Sequence, residues 1–187
     1  MSEPRVVLDP LDTAGAAYVP RPDCGRAIGE LERALRAGAT VATLSGPVGI
    51  GRSTLLRVLE SKLSEAFRCV YIPFAGLQAD EIYTWILGLL DEPAEGDAEA
   101  ALLDAAQGIA ASERCLVVLI DDAEAMPVVS ARRLAALLGA AQGSIRLVAV
   151  LSGDVRAEGV REALGGPPAD VRLDVRSRSS RTNSHDQ

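Results

Sequence analysis

Five short apolar runs alternate with stretches of helical periodicity along this chain, the pattern of βα units feeding a parallel sheet. The runs are VATLS (41–45), CVYIPF (69–74), CLVVLI (115–120), IRLVAVL (145–151) and VRLDV (171–175). The middle three are almost continuously hydrophobic, which predicts strands covered by helices on both faces, whereas the fifth alternates and is expected at a sheet edge. Between the runs, apolar residues recur at helical spacing. Ile28, Leu31, Ala34 and Leu35 form one stripe, closed by Gly38, and Leu55, Leu56, Leu59 and Leu63 form a second within 53–67. Asp80 is placed to cap a helix carrying Ile82, Trp85, Ile86, Leu89 and Leu90, and further helices are expected near 98–112, 130–141 and 155–164. Trp85, on an apolar helical face, is expected in the core or at an interface. The fold class is therefore α/β: three layers, with a five-stranded parallel sheet and helices on both faces.

The flanks differ from this core. Residues 1–26 are irregular and Pro-rich, residues 27–175 carry the alternating pattern, and 176–187 (RSRSSRTNSHDQ) is polar and aperiodic, the composition of a disordered tail. With 187 residues, 48% of them hydrophobic and 24% charged, the chain matches one ordinary globular domain. A basic start followed by an apolar run is not seen, nor are the roughly 18 consecutive apolar residues of a membrane span, so a cytoplasmic protein is expected. Cys24, Cys69 and Cys115 are widely spaced, and His185 is the single histidine, which fits a reducing compartment and argues against a zinc site. Cys69 and Cys115 open apolar runs and read as small buried hydrophobes. The net charge is −7 and the basic residues are spread along the core, so direct nucleic-acid binding is disfavoured. Lys62 is the single lysine among 19 basic residues, a bias towards arginine that matters for the chemistry below.

That chemistry centres on Gly46, Pro47, Val48, Gly49, Ile50, Gly51, Arg52, Ser53 and Thr54, which follow the first run and open a helix. A strand, a Gly-rich turn and a helix start form the setting of a phosphate-binding loop: backbone N–H groups curl around an anion and the helix N-terminus adds partial positive charge. Ser53 is placed to ligate Mg²⁺ through its hydroxyl. Arg52 stands where such loops carry lysine, replacing a compact charge with a longer planar fork. A matching acidic element follows the third run as Asp121, Asp122 and Glu124. Ligands of open parallel sheets bind at the carboxyl ends of the strands, so Asp121 is expected beside the loop as the metal-side acid. Asp122 then falls in the position that activates water, with Glu124 in reserve. Either element alone also reads as an ordinary solvated turn; together they favour a three-layer P-loop NTPase fold.

These motifs, in this order, resemble the core of an AAA+ ATPase, most nearly the bacterial group that holds general secretion pathway protein A and transposition-accessory ATPases. The resemblance spans about 18–175 and rests on GPVGIGRST, VVLIDDAEAM and the run 145–151 ending at Ser152, together with Tyr18-Val-Pro-Arg21-Pro-Asp23. It implies ATP or ADP with Mg²⁺ as ligands, catalytic roles for Asp122 and Arg52, and Ser152 as a polar sensor of the terminal phosphate. It also implies that Tyr18 and Val19 lie near adenine. A protein partner and a homo-oligomer are implied as well, with an arginine reaching a neighbouring subunit from among Arg156, Arg161 and Arg172. The family's helical lid after the fifth strand has no counterpart in the Ser/Arg-rich pattern beyond Val175. Two readings stand side by side: an ATPase acting as a switch or remodelling subunit, and a nucleotide-binding scaffold with little turnover.

Overall fold

A computed structural model of the chain describes residues 22–47, 49–63, 66–166 and 169–173. The expectations for residues 1–21, including Tyr18 and Val19, for Val48, and for the polar tail lie outside the described residues, whereas 22–26, expected to be irregular, are helical.

Helix α1 (Pro22–Arg36) leads into β1 (Val41–Ser45), α2 (Arg52–Leu63) and β2 (Phe67–Ile72). Helices α3 (Ala79–Leu89) and α4 (Ala98–Ala110) precede β3 (Cys115–Ile120) and a short 3-10 turn, Ala123–Ala125. Then come α5 (Val128–Ala140), β4 (Ile145–Leu151), α6 (Val155–Ala163) and β5 (Ala169–Arg172). The strands form one parallel sheet in the order β2-β3-β4-β1-β5. The first connection runs one way across the sheet and the later ones return, so helices of a right-handed fold must divide between two faces. Leu44, Val117, Leu119, Val148 and Val150 pack with α1 and α2, while Val118, Ile120, Leu147, Ala149 and Leu151 pack with α3 to α6.

Strands β1 and β4 lie between other strands and under helices on both faces, which is why VATLS is buried at every position and IRLVAVL at all but one. The second run departs from the expectation. It begins two residues earlier, at Phe67, and lies at a sheet edge with only Phe67, Val70 and Ile72 buried. Its partner is β3, and the pairing of Phe67 with Cys115 fixes that start. Helix α2 correspondingly ends at Leu63, short of Phe67. The fifth run does form the other edge, but over Ala169–Arg172. Helix α3 is capped by Gln78, whose N–H donates to the Glu81 carboxylate at 2.7 Å; Asp80 instead takes a two-pronged contact from Arg133. Trp85 faces outward at 37% exposure and does not join the core. Cys69 and Cys115 are half-buried, and burial pushes the Cys69 thiol up to about 12 and raises that of Cys115, keeping both protonated.

One polar cluster ties edge strand β5 to the sheet centre. The buried Thr43 hydroxyl donates to Asp170 at 2.7 Å, and Arg161 on α6 reaches Asp170 at 2.9 Å and Thr43 at 3.3 Å. Burial alone would raise the Asp170 pKa, but these hydrogen bonds and the Arg161 charge outweigh it and hold the carboxyl below its usual value. A group depressed in the folded state contributes stability above its unfolded pKa and loses that contribution as pH falls through the folded one. Asp170→Asn should therefore lower the melting temperature at pH 7, and the gap from the parent should close below about pH 4, the range where an unperturbed aspartate protonates. Melting curves across pH check this.

Candidate functional site

The loop between β1 and α2 is built by backbone conformation. Gly49 and Gly51 have φ of +80° and +95°, values in the left-handed region that side chains resist. They turn the chain so that α2 starts at Arg52, with Leu55 N–H closing the first helical bond onto the Gly51 carbonyl at 2.9 Å. Gly46 serves a different purpose: a Cβ there would lie 3.0 Å from Leu173 Cβ and 3.1 Å from its carbonyl oxygen. Leu173 N–H also donates to the Ser45 carbonyl at 2.7 Å, so the loop's first glycine is pressed against the segment leaving β5. Ser53 and Thr54 sit exposed at the start of α2.

Strand β3 delivers Asp121 to the same end of the sheet. Asp121 is buried and doubly held: the Tyr71 hydroxyl donates to Oδ2 at 3.1 Å, and the Asp122 N–H donates to Oδ1 at 3.0 Å. Burial and the Asp121 carboxylate raise the Tyr71 pKa to about 12, so the phenol remains a proton donor through the physiological range. Arg57 of α2 covers the other side of that ring at 3.5 Å from its centroid. Tyr71 went unrecognised in the sequence because nothing local couples it to Asp121. The link appears once β2 pairs with β3 in a register that sets Tyr71 opposite Leu119, two residues before Asp121 on the same face.

The remaining acids separate. Asp122 has a left-handed backbone, with φ of 52°, and its side chain is exposed. Glu124, in the 3-10 turn, reaches back to the loop: its Oε1 lies 3.8 Å from Arg52 Nη1, with both side chains nearly out of solvent at 13% and 11% exposure. Ser152 follows β4 directly beside the loop and is buried, its hydroxyl lacking a hydrogen bond of normal geometry. Its neighbour Asp154 caps α6, and the Ala157 N–H, helped by Ser152 and by Arg156, holds that carboxyl below its usual range. Of the three arginines considered for a neighbouring subunit, Arg161 is turned into the Asp170 cluster, while Arg156 and Arg172 are exposed.

Three buried polar atoms around the loop have no hydrogen-bond partner among the described residues: Ser45 Oγ, Arg52 Nη1 and Glu124 Oε2. Leaving such an atom unpaired costs about 1–3 kcal/mol, so atoms of this kind near the loop suit a polar ligand rather than a packed core. A cavity of about 610 Å³ opens beside Ser45 and Ser152, lined also by Gly46, Pro47, Arg161 and Arg172 among others; Arg52 and Glu124 do not line it. Chemically, the arrangement presents backbone donors, a helix N-terminus and Arg52 to an anion, with hydroxyls and a fixed carboxylate for a cation.

Tyr71→Phe removes one donor from a buried carboxylate while keeping the ring under Arg57. It should cost roughly 1–3 kcal/mol, the penalty of an under-satisfied buried charge, read as a drop in the urea midpoint without a change in slope.

A family model described as an AAA domain matches residues 35–160, about two thirds of the chain. No curated protein matches it. Solved structures of similar fold include Cdc6p from Pyrobaculum aerophilum, at 21% identity and TM-score 0.61 over 85% of this chain and 47% of that one. The Aeropyrum pernix ORC2 protein gives 19% identity and TM-score 0.61, covering 85% of this chain and 48% of that one. The Aeropyrum pernix ORC1 protein, solved in complex with DNA, gives 15% and 0.62, covering 87% and 47%. At these identities the likeness is one of fold, and the chain spans about half the length of those proteins. The strand order, the glycine-shaped loop and the matched family model agree, and the chain belongs to the AAA domain family.

Proposed function

We propose that this chain binds ATP or ADP with Mg²⁺ at residues 46–54 and works as a nucleotide-dependent switch or remodelling subunit acting on a protein partner. The observation that carries the reading is the meeting, around one loop, of two left-handed glycines, a helix start and buried polar atoms left without partners. The residues fit the group. Backbone N–H groups of the loop and Arg52 would hold the phosphates, and the Ser53 hydroxyl and Asp121 carboxylate would hold the metal. Bound Mg²⁺ supplies positive charge that offsets the charge of the phosphates.

Within that frame the chain's residues have separable tasks. Tyr71 and the Asp122 N–H fix the Asp121 carboxylate in one orientation, so it meets a ligand without reorganising. Ser152, one residue past the Ser45–Leu151 pairing of β1 with β4, would sense the terminal phosphate. Arg156 and Arg172 remain the exposed arginines through which a second copy could be contacted.

A second reading, a nucleotide-binding module with slow turnover, is favoured by two particulars. Asp122 is exposed on a left-handed backbone, and Arg52 is paired with Glu124. A catalytic group misplaced by about 1 Å can cost on the order of 10²-fold in rate. The narrower likeness to the general secretion pathway protein A group rests on the motifs alone. The likeness to a structure solved in complex with DNA removes the ground for excluding nucleic acid by charge, and nucleic acid belongs among the partners to be tried.

Calorimetry should show binding of ATP or ADP that strengthens with Mg²⁺, and Asp121→Ala should erode the Mg²⁺ dependence more than affinity in chelator. Folded protein that binds no nucleotide at millimolar concentration defeats the reading. Arg52→Lys restores a compact charge at the phosphates and should speed phosphate release. If the variant binds ATP as tightly as the parent with no faster release, the low-turnover module is favoured.

A further inference from the structure

We propose that Glu124, rather than Asp122, is the acid to which the phosphate loop responds: its carboxylate competes with phosphate for Arg52 and thereby sets nucleotide affinity. The inference rests on the nucleotide reading above and names the residue that tunes it.

The Arg52–Glu124 pair is not built as a stabilising salt bridge. Arginine and carboxylate at their best form parallel bonds near 2.7–2.9 Å, and this chain makes such a contact on its surface, where Arg133 grips Asp80 at 2.7 and 2.9 Å. Arg52 and Glu124 lie 3.8 Å apart, close enough to attract and too far to hydrogen-bond, although both are nearly buried. Burying two charges without hydrogen bonds to satisfy them forfeits much of the attraction. Arg52 Nη1 is left as a buried donor and Glu124 Oε2 as a buried acceptor, neither with a hydrogen bond among the described residues. A donor left unbonded in this way can be taken up by a third group, an anionic oxygen accepting from Nη1. A phosphate is such a group, and it must share the single guanidinium with a carboxylate of like charge.

Asp122 has no equivalent relation to the loop. Its backbone is left-handed, its N–H is engaged with Asp121, and its side chain faces solvent. Glu124 sits instead in the 3-10 turn, which Met126 and the N-cap residue Pro127 join to α5. Coupling free energies are reciprocal, so a phosphate that draws Arg52 away loosens Glu124, and neutralising Glu124 strengthens the hold on phosphate. The same contact carries the phosphate's presence into the turn ahead of α5.

The test is titration of the full chain with ADP and with ATP in chelator, followed by calorimetry, for the parent, Glu124→Gln, Asp122→Asn and Arg52→Gln with and without Glu124→Gln. Glu124→Gln should tighten binding about tenfold, equivalent to ~1.4 kcal/mol. Asp122→Asn should change affinity less, and the Glu124 effect should vanish once Arg52 is glutamine. Unchanged or weaker binding by folded Glu124→Gln overturns the proposal, as does an equal gain in the Arg52→Gln background. If Glu124→Gln does not fold, Glu124→Asp withdraws the charge by one methylene and should shift affinity in the same direction. Binding by Glu124→Gln and not by the parent supports the competition while limiting the nucleotide reading to the variant; binding by neither defeats both.

Discussion

A parallel sheet whose central strands are covered on both faces allows polar groups to leave the core in few places. The backbone of β1, β3 and β4 is consumed by the ladder, and the side chains on either face are committed to helices. Groups that need water or a ligand must then emerge where strands end. Because all five strands run the same way, the loop after β1, Asp121 after β3 and Ser152 after β4 are delivered to one edge of the sheet. The site follows from this burial constraint, and the glycines at 49 and 51 give the backbone the turn that the constraint demands.

Electrostatics at that edge divide into a fixed part and an unsettled part. Asp121 is fixed: two donors hold it, one of them a phenol that burial and Asp121 itself keep protonated to about pH 12. Arg57 braces the ring of that phenol, linking the helix that begins at the phosphate loop to the acid two strands away from it. Arg52 and Glu124 form the unsettled part, charged, nearly buried and incompletely bonded. A fixed acid beside an unsettled pair suits a site that orients a metal while leaving its affinity for an anion adjustable.

On the far side of β1, the Thr43–Asp170–Arg161 cluster shows how an edge strand is secured without covering both of its faces. It also removes Arg161 from the arginines available to another subunit. The resemblance had offered it as one of three candidates, with Arg156 on the same helix and Arg172 in the last strand. The hydrogen bonds of the fold distinguish them.

The sequence by itself determined the strands and helices, the class of the fold and the glycine-rich loop, because hydrophobic periodicity and backbone permissiveness are local properties. Val41–Ser45, Cys115–Ile120 and Ile145–Leu151 were legible to the residue since each is a mostly apolar run bounded by turns. The second strand was legible in kind and not in place: its start at Phe67 and its edge position depend on pairing with β3. Trp85 was apolar by composition, but only packing could leave it facing outward. At the site, the acids after β3 could be named but not told apart. Whether Asp122 or Glu124 faces Arg52 turns on one left-handed residue and a 3-10 turn, and Tyr71 joins Asp121 through strand register, both of which exist only when distant segments are brought side by side.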